Sequence, residues 1–328
     1  MPAPSTSLAT LRPDLSASLM EFNLAQDRQG FIGMQVLPVL EVGRAAGTFG
    51  RIPIEQLLVN RETRRAPGGG YSRSKFTFTT DSYATEENGH EEPVDDNEAQ
   101  IYVDYFDAEQ VAAQRAQDVV LRNAEKRIAD LIFNATTWTG AALTTGITNE
   151  WDKNHLTDAV PIADVEAARL KVWTGCGLWP NALILNRKVF NNLRMLDDIK
   201  EAIASTGAGY PTRARDITVQ QLASVFDLDY ILVAGGAKNT AIEGQTLALS
   251  QIWSDEYAMI CRLCTTGDIR EPGLGRVMHY GADGSQVGAL IETYRDETVR
   301  SDIVRARHQV DEKVLYIECG HLLWNVTT

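Results

Sequence analysis

Two cysteines three residues apart, Cys261-Arg-Leu-Cys264, have the spacing of redox and zinc sites. A zinc site of this kind needs a second pair of ligands, and neither Cys176 nor Cys319 supplies one at the right spacing. On a strand, side chains three apart point to opposite faces and do not chelate one ion. The sequence therefore assigns both thiols to the core. The five histidines (His90, His155, His279, His308, His321) are scattered, and no two stand four apart as a zinc pair on a helix would. Neither a G-x-S-x-G elbow nor a G-x-x-x-x-G-K-[ST] phosphate loop occurs. Gly68-Gly69-Gly70 lacks the preceding strand and following helix of a phosphate cradle and reads as a tight turn. The run Glu86, Glu87, Glu91, Glu92, Asp95 and Asp96 lacks the alternating pattern of a calcium loop. No nucleophile, base and orienter assemble. The sequence assigns no catalytic residue, no metal ligand and no cofactor.

Charge is the more informative pattern. The chain carries 31 basic and 44 acidic residues over 328 positions, a net charge of −13. A dedicated nucleic-acid binder gains its affinity by neutralising phosphates and is normally basic. If this chain lies near DNA, it does not grip it. Within residues 61–75 stand five cations, Arg61, Arg64, Arg65, Arg73 and Lys75, against the single acid Glu62. Residues 81–109 hold eleven acids and no Lys or Arg. One reading is two solvated loop faces that pair with each other. The sharper one is that the basic half of one copy meets the acidic half of the next, which fixes register and partner choice.

The elements that position these charges follow from period and punctuation. Hydrophobic residues at 44% and charged residues at 23% suit a folded domain of ordinary composition. No apolar stretch approaches the roughly 20 residues of a membrane span. Met1–Thr10 lacks the basic start and apolar run of a signal peptide, so the expected compartment is the cytoplasm of the producing cell, and its thiols are expected to stay reduced. Residues 1–40 read as an arm, with a short helix near Leu15–Leu24 and an extended apolar stretch from Phe31 to Leu40. Residues 41–106 read as a long two-stranded excursion, with strands at Lys75–Thr79 and Ile101–Tyr105. No Gly or Pro occurs from Asp107 to Asn134. Asp107 is a cap, Gln110 completes a capping box, and Val111, Val119, Ala124, Ile128, Leu131 and Ile132 form the apolar stripe of a helix roughly 40 Å long. Residues 135–160 read as loop or weak hairpin. Asp164 is expected to cap a helix over Val165–Trp173, followed by a strand at Ala182–Leu185 and helices at Arg187–Leu196, Ile199–Ala204 and Thr218–Phe226. Tyr230–Val233 is a second buried strand. From Ile252 onward the pattern is β, at 258–263, 277–280, 290–294, 299–310 and 314–318.

This order of elements, with Phe106-Asp-Ala-Glu-Gln-Val-Ala-Ala113 leading into Asn123-Ala-Glu-Lys-Arg-Ile-Ala-Asp-Leu-Ile132, resembles the spine helix and flanks of tailed-phage major capsid proteins. Trp179-Pro-Asn-Ala-Leu-Ile-Leu-Asn186 with Val189-Phe190, Ile252-Trp-Ser-Asp-Glu-Tyr257, and Val310-Asp-Glu-Lys-Val-Leu-Tyr316 with Gly320 also resemble that family. The resemblance spans nearly the whole chain. It implies an α+β fold, the tailed-phage (Hong Kong ninety-seven-like) major capsid fold, which encapsulins share. Its parts would be an N-terminal arm (1–40), an extended loop (41–106), a long spine helix opening the peripheral domain (107–160), an axial domain (161–275) and peripheral return strands (276–328). It implies a homo-oligomer of pentamers and hexamers in an icosahedral virion shell, assembled in the host cytoplasm, enclosing DNA without sequence-specific binding and without a membrane. Scaffold, portal and decoration proteins would be its accessory partners. Only about 30 residues precede the apolar segment, so scaffolding is expected from a separate protein. Contacts between subunits would draw on Arg61, Arg64, Arg65, Arg73 and Lys75 on one side and on Glu86, Glu87, Glu91, Glu92, Asp95 and Asp96 on the other. A ribbon of two strands is marginal by itself and gains stability by burying surface on a neighbour. The nearer alternative is an encapsulin-like shell with protein cargo. The more distant one is a soluble α/β enzyme with the loop as lid, which would show a discrete pocket with convergent polar groups.

Overall fold

The computed structural model describes residues 10–11, 30–75, 77–97, 107–205, 211, 216–242, 244–282 and 284–327. Among them the strands are β1 (Thr10–Leu11), β2 (Val39–Glu41), β3 (Ala46–Arg51), β4 (Thr79–Ala84), β5 (Glu86–Asp95), β6 (Thr144–Gly146), β7 (Ala182–Asn186), β8 (Tyr230–Ala234), β9 (Ala237–Asn239), β10 (Leu249–Gln251), β11 (Tyr257–Cys261), β12 (Gly275–His279), β13 (Leu290–Asp296), β14 (Ser301–Val314) and β15 (Gly320–Trp324). The helices are α1 (Gly33–Val36), α2 (Ile54–Leu57), α3 (Ala108–Ile132), α4 (Pro161–Cys176), α5 (Arg187–Leu193), α6 (Asp197–Ile203) and α7 (Val219–Val225). The arm helix expected near Leu15–Leu24 and the strand expected at Ile101–Tyr105 lie outside the described residues.

The long helix forms where glycine and proline are absent. Asp107 caps it by accepting from Glu109 N (3.1 Å) and Gln110 N (3.3 Å). Its buried stripe is Ala112, Ala116, Val120, Ala124, Ile128 and Ile132, a strict spacing of four. Val111, Val119 and Leu131, expected on that stripe, are only half-buried. The reason is size. Alanines in the first half let the helix lie close on Val94, Ile291, Val304 and Ala306 of the sheet beneath.

That sheet runs β1-β13-β14-β12-β2, with β5 also pairing β14. The fourteen residues of β14 carry three partners: β13 against 301–307, β5 against 301–310, and β12 against 310–314. The second sheet has the order β6-β15-β11-β7-β8. Alternation along β7 separates two cores: Leu183 and Leu185 face Val172, Val189, Leu193, Leu222 and Phe226, while Ala182 and Ile184 face Ile128, Ile132, Trp253 and Met259.

Several boundaries differ from those expected. The helix expected at Val165–Trp173 starts at Pro161, without a side-chain cap, because proline is preorganised for the first helical turn; Asp164 instead accepts from Trp151 Nε1 at 3.0 Å. Thr218 and Gln221 form the reciprocal capping box of α7. The strand expected at 314–318 gives way to a short 3₁₀ turn at Ile317–Cys319, and β15 follows it between β6 and β11, in the five-stranded sheet. The excursion also differs. Its paired strands are β3 and β4, from Ala46↔Ala84 to Arg51↔Thr79, and the acidic stretch continues past Thr85 as β5 of the helix-backed sheet.

Candidate functional site

The residues with chemical potential are mostly locked in the core. Cys261 ends β11 wholly buried, and burial pushes its thiol up; Cys264 is buried and raised likewise. Cys176 and Cys319 are buried, and the neighbouring Cys176 thiol together with burial pushes Cys319 up. Cys261, Cys264 and Cys319, held protonated, are poor nucleophiles and poor ligands, whereas the hydrogen bond with Cys319 pulls the buried Cys176 thiol down. No group of three or more His, Cys, Asp or Glu able to hold a metal occurs among the described residues. One arrangement does align a hydroxyl and an imidazole. Lys171 Nζ donates to Thr145 Oγ1 (2.6 Å), which lies 2.8 Å from His321 Nε2, while His321 Nδ1 lies 2.9 Å from Ala142 O. The carbonyl makes Nδ1 the donor, so Nε2 accepts from the threonine. His321 is wholly buried, and burial pushes it down to about 4. The network fastens β6 and β15 to α4. An open cleft of 570 Å³ beside β2 is lined by Leu40, Phe49, Tyr83 and Asp268, among others, and its lining holds no His, Cys or Lys.

The surface chemistry centres on the excursion. At its root, Arg51 donates to Leu315 O and stacks on Tyr316, 4.9 Å from the ring centre. Lys313 Nζ meets Asp81 at 2.6 Å, Ala84 N donates to Asp311 (3.0 Å), and Gln309 Nε2 reaches Thr85 Oγ1 (3.1 Å). Beyond α2 support ends: residues 58–75 are exposed apart from half-buried Gly69. Arg61, Arg64, Arg65, Arg73 and Lys75 all lie in this stretch, and none forms an ion pair with an acid among the described residues. Arg65 bonds Gly69 O and stacks on Tyr71 at 4.9 Å, while Tyr71 itself is 72% exposed. Five cations and one acid give the stretch net +4 on a chain of −13, so the remaining residues carry −17.

The acidic residues are differently placed. Glu91 pairs with Arg305 (2.6 Å), Glu92 with Arg115 (3.4 Å), and Asp96 takes both arms of Arg295 (2.6 and 2.7 Å). Glu87 lies 3.8 Å from Arg307, Asp95 accepts from Asn97 N (2.8 Å), and Glu86 is exposed at the start of β5. The structure thus brings most of the predicted acids together with arginines of the same chain. It brings none of them to the predicted cations.

Two features escaped the sequence reading. Glu125, in the middle of α3, is buried and accepts from Ile32 N (2.8 Å), Gly33 N (2.7 Å) and Trp253 Nε1 (2.6 Å). It ties the segment before β2, the long helix and the Ile252–Ser254 turn to one carboxylate. Burial pushes its pKa up against the downward pull of these donors. On the outer face of α4, Trp173 and Trp179 stack with centroids 5.7 Å apart, both about half exposed. Arg169 lies 5.6 Å over the Trp179 ring and bonds Glu166 and Asp227, each at 2.7 Å. The only signal in sequence was the pair of tryptophans flanking Gly177, the left-handed cap that turns the chain back beside α4.

No family model matches the chain. It is 23% identical over 203 residues, 62% of its length, to the major capsid protein of Burkholderia phage BcepMu, and the match spans 63% of that relative. A crystal structure of a phage-related protein from Bordetella bronchiseptica superposes with a TM-score of 0.69 and 19% identity over 97% of this chain and 98% of that one. A chain from the asymmetric unit of the bacteriophage PhiM1 mature capsid superposes with a TM-score of 0.54 and 14% identity over 87% of this chain and 84% of that one. The fold of this chain is the α+β fold of tailed-phage capsid proteins.

Proposed function

We propose that the chain is the major capsid protein of a tailed phage, assembling with copies of itself into pentamers and hexamers of an icosahedral shell around double-stranded DNA. The observation that carries this reading is the exposed stretch 58–75 at net +4, on a chain whose remaining residues carry −17, within a capsid fold. A ribbon this long gains nothing by standing in water, and oppositely charged surfaces of identical chains steer and register their own association. The negative body suits a wall that packaged DNA slides past without snagging. The virion is the final location and the host cytoplasm the assembly site, with a separate scaffold protein, a portal and decoration proteins as accessory partners. Within the shell, the excursion acts as the extended loop, the α3-backed sheet as the peripheral domain and the five-stranded sheet as the axial domain, which takes in β6 and β15 from segments expected in the peripheral domain. The cations Arg61, Arg64, Arg65, Arg73 and Lys75 are the reaching side of the subunit contact.

Negative-stain electron microscopy of the purified full chain, alone and with a scaffold protein, tests the proposal. Closed shells, sheets or tubes of five- and six-fold clusters are expected, weakening as salt screens the charges above about 0.5 M. A monomer or dimer under every condition overturns it.

A further inference from the structure

The acids next to the excursion in sequence are largely held by Arg295, Arg305, Arg307 and Arg115 of their own chain, so the cationic loop needs another partner. We infer that the loop of one copy docks on the Trp173–Trp179 platform of a second copy, an inference that rests on the shell reading. Four of the five cations are arginines. A guanidinium is recognised by two things at once: an indole face to stack on and a carboxylate to take its paired N–H groups. The platform offers both. Its two indoles are about half exposed, and beside them Glu166 and Asp227 keep 52% and 87% of their side chains in solvent although each already holds Arg169. Arg169 over Trp179 is a guanidinium in the same setting within one chain. Exposed tryptophans ringed by polar groups are the composition of an interface centre, and Leu170, 46% exposed, extends the apolar area. Nucleic acid would meet the same carboxylates as like charges, so a second copy is the better match for the face.

The loop's own root bears on how it arrives. Leu58 packs beside Gly177, where an added Cβ would lie 2.3 Å from Leu58 Cδ1. Each chain therefore starts its loop at the margin of its own platform. A loop that leaves one platform and lands on the next makes a head-to-tail contact, the kind that closes into rings.

The test places a photoreactive p-benzoylphenylalanine at Tyr71, an aromatic replacement at an exposed site, in the full chain. Heavy- and light-isotope chains are mixed, assembled, irradiated and digested. Cross-links between heavy and light chains into peptides spanning 166–179 or 227–230 are expected. Interchain cross-links into 86–96, or cross-links within one chain only, overturn the inference while shells seen by microscopy leave the shell reading standing. A chain that never assembles gives no interchain product and overturns both. A charge exchange gives a second readout. Glu166→Arg with Asp227→Arg is expected to raise the concentration needed for assembly roughly tenfold, and adding Arg64→Glu with Arg65→Glu to restore it within about threefold. Absence of restoration, with circular dichroism showing each variant folded, also overturns the inference.

Discussion

Replacing Glu125 tests whether one buried carboxylate joins three parts of the fold. In Glu125→Ala the donors Ile32 N, Gly33 N and Trp253 Nε1 lose their acceptor together. An unsatisfied buried donor costs about 1–3 kcal/mol, so three cost about 3–6 kcal/mol if water enters the emptied space in part. That is a large share of a typical stability of about 5–15 kcal/mol. Glu125→Gln is not neutral either. Oε1 serves Ile32 N and Trp253 Nε1 and Oε2 serves Gly33 N, so either orientation of the amide sets a donor against a donor; the expected loss is about 1–3 kcal/mol. Urea denaturation followed by circular dichroism measures both. Trp253→Phe removes one donor and keeps two, and its double-mutant cycle with Glu125→Ala should show a coupling of about 1 kcal/mol or more. The pH dependence has a fixed sign. Burial raises the Glu125 pKa above the usual carboxylate value of roughly 4.3. The folded state then holds the proton after the unfolded state has lost it, so this group lowers stability as pH rises through that interval, and Glu125→Gln should remove its contribution. A loss under about 1 kcal/mol for Glu125→Ala, with no faster amide exchange at Ile32 and Gly33, would refute the reasoning.

Two further perturbations have defined directions. His321 is depressed to about 4 from an ordinary value of roughly 6.5, so the unfolded state takes its proton first. Stability should fall as pH drops through this window, by about 3 kcal/mol in all, and His321→Gln should flatten that part of the profile in thermal melts. At Gly275 a Cβ would lie 2.3 Å from Lys313 O on the paired strand, so Gly275→Ala should cost about 1–3 kcal/mol in chemical denaturation and loosen β12 from β14.

The legible parts of the sequence were those decided locally. The long helix announces itself by the missing glycine and proline and by Asp107. The strands β7 and β8 announce themselves by short apolar runs before turn residues, although only β7 is buried throughout and Tyr230 of β8, expected in a buried strand, is about half exposed because β8 lies at the edge of its sheet. What was not legible depends on distant chain. The acids of β5 look like a loop face because their neutralising partners Arg295, Arg305 and Arg307 lie about 200 residues further on. Glu125 looks like one more surface charge on a helix until Ile32, Gly33 and Trp253 converge on it. The two tryptophans flanking Gly177 carry no sign in sequence that the left-handed cap stacks them together on the surface. Local physics writes helices and strands into the sequence, whereas which charges meet is a property of the folded chain.

The place of β15 has a consequence for synthesis. It lies between β6 and β11, and Thr144 Oγ1 bonds Leu322 O across 178 residues of chain. At a translation rate of roughly 5–20 residues per second, Thr144 waits about 10–35 s for that partner. During this time β6 has no sheet to join, and for about the last 3–12 s, once Cys261 has been made, β11 presents an unpaired edge, the situation in which growing chains on one messenger stick to each other. The ribosome, or a chaperone waiting near it, must therefore keep neighbouring nascent chains apart until the interior strand of the sheet has been made.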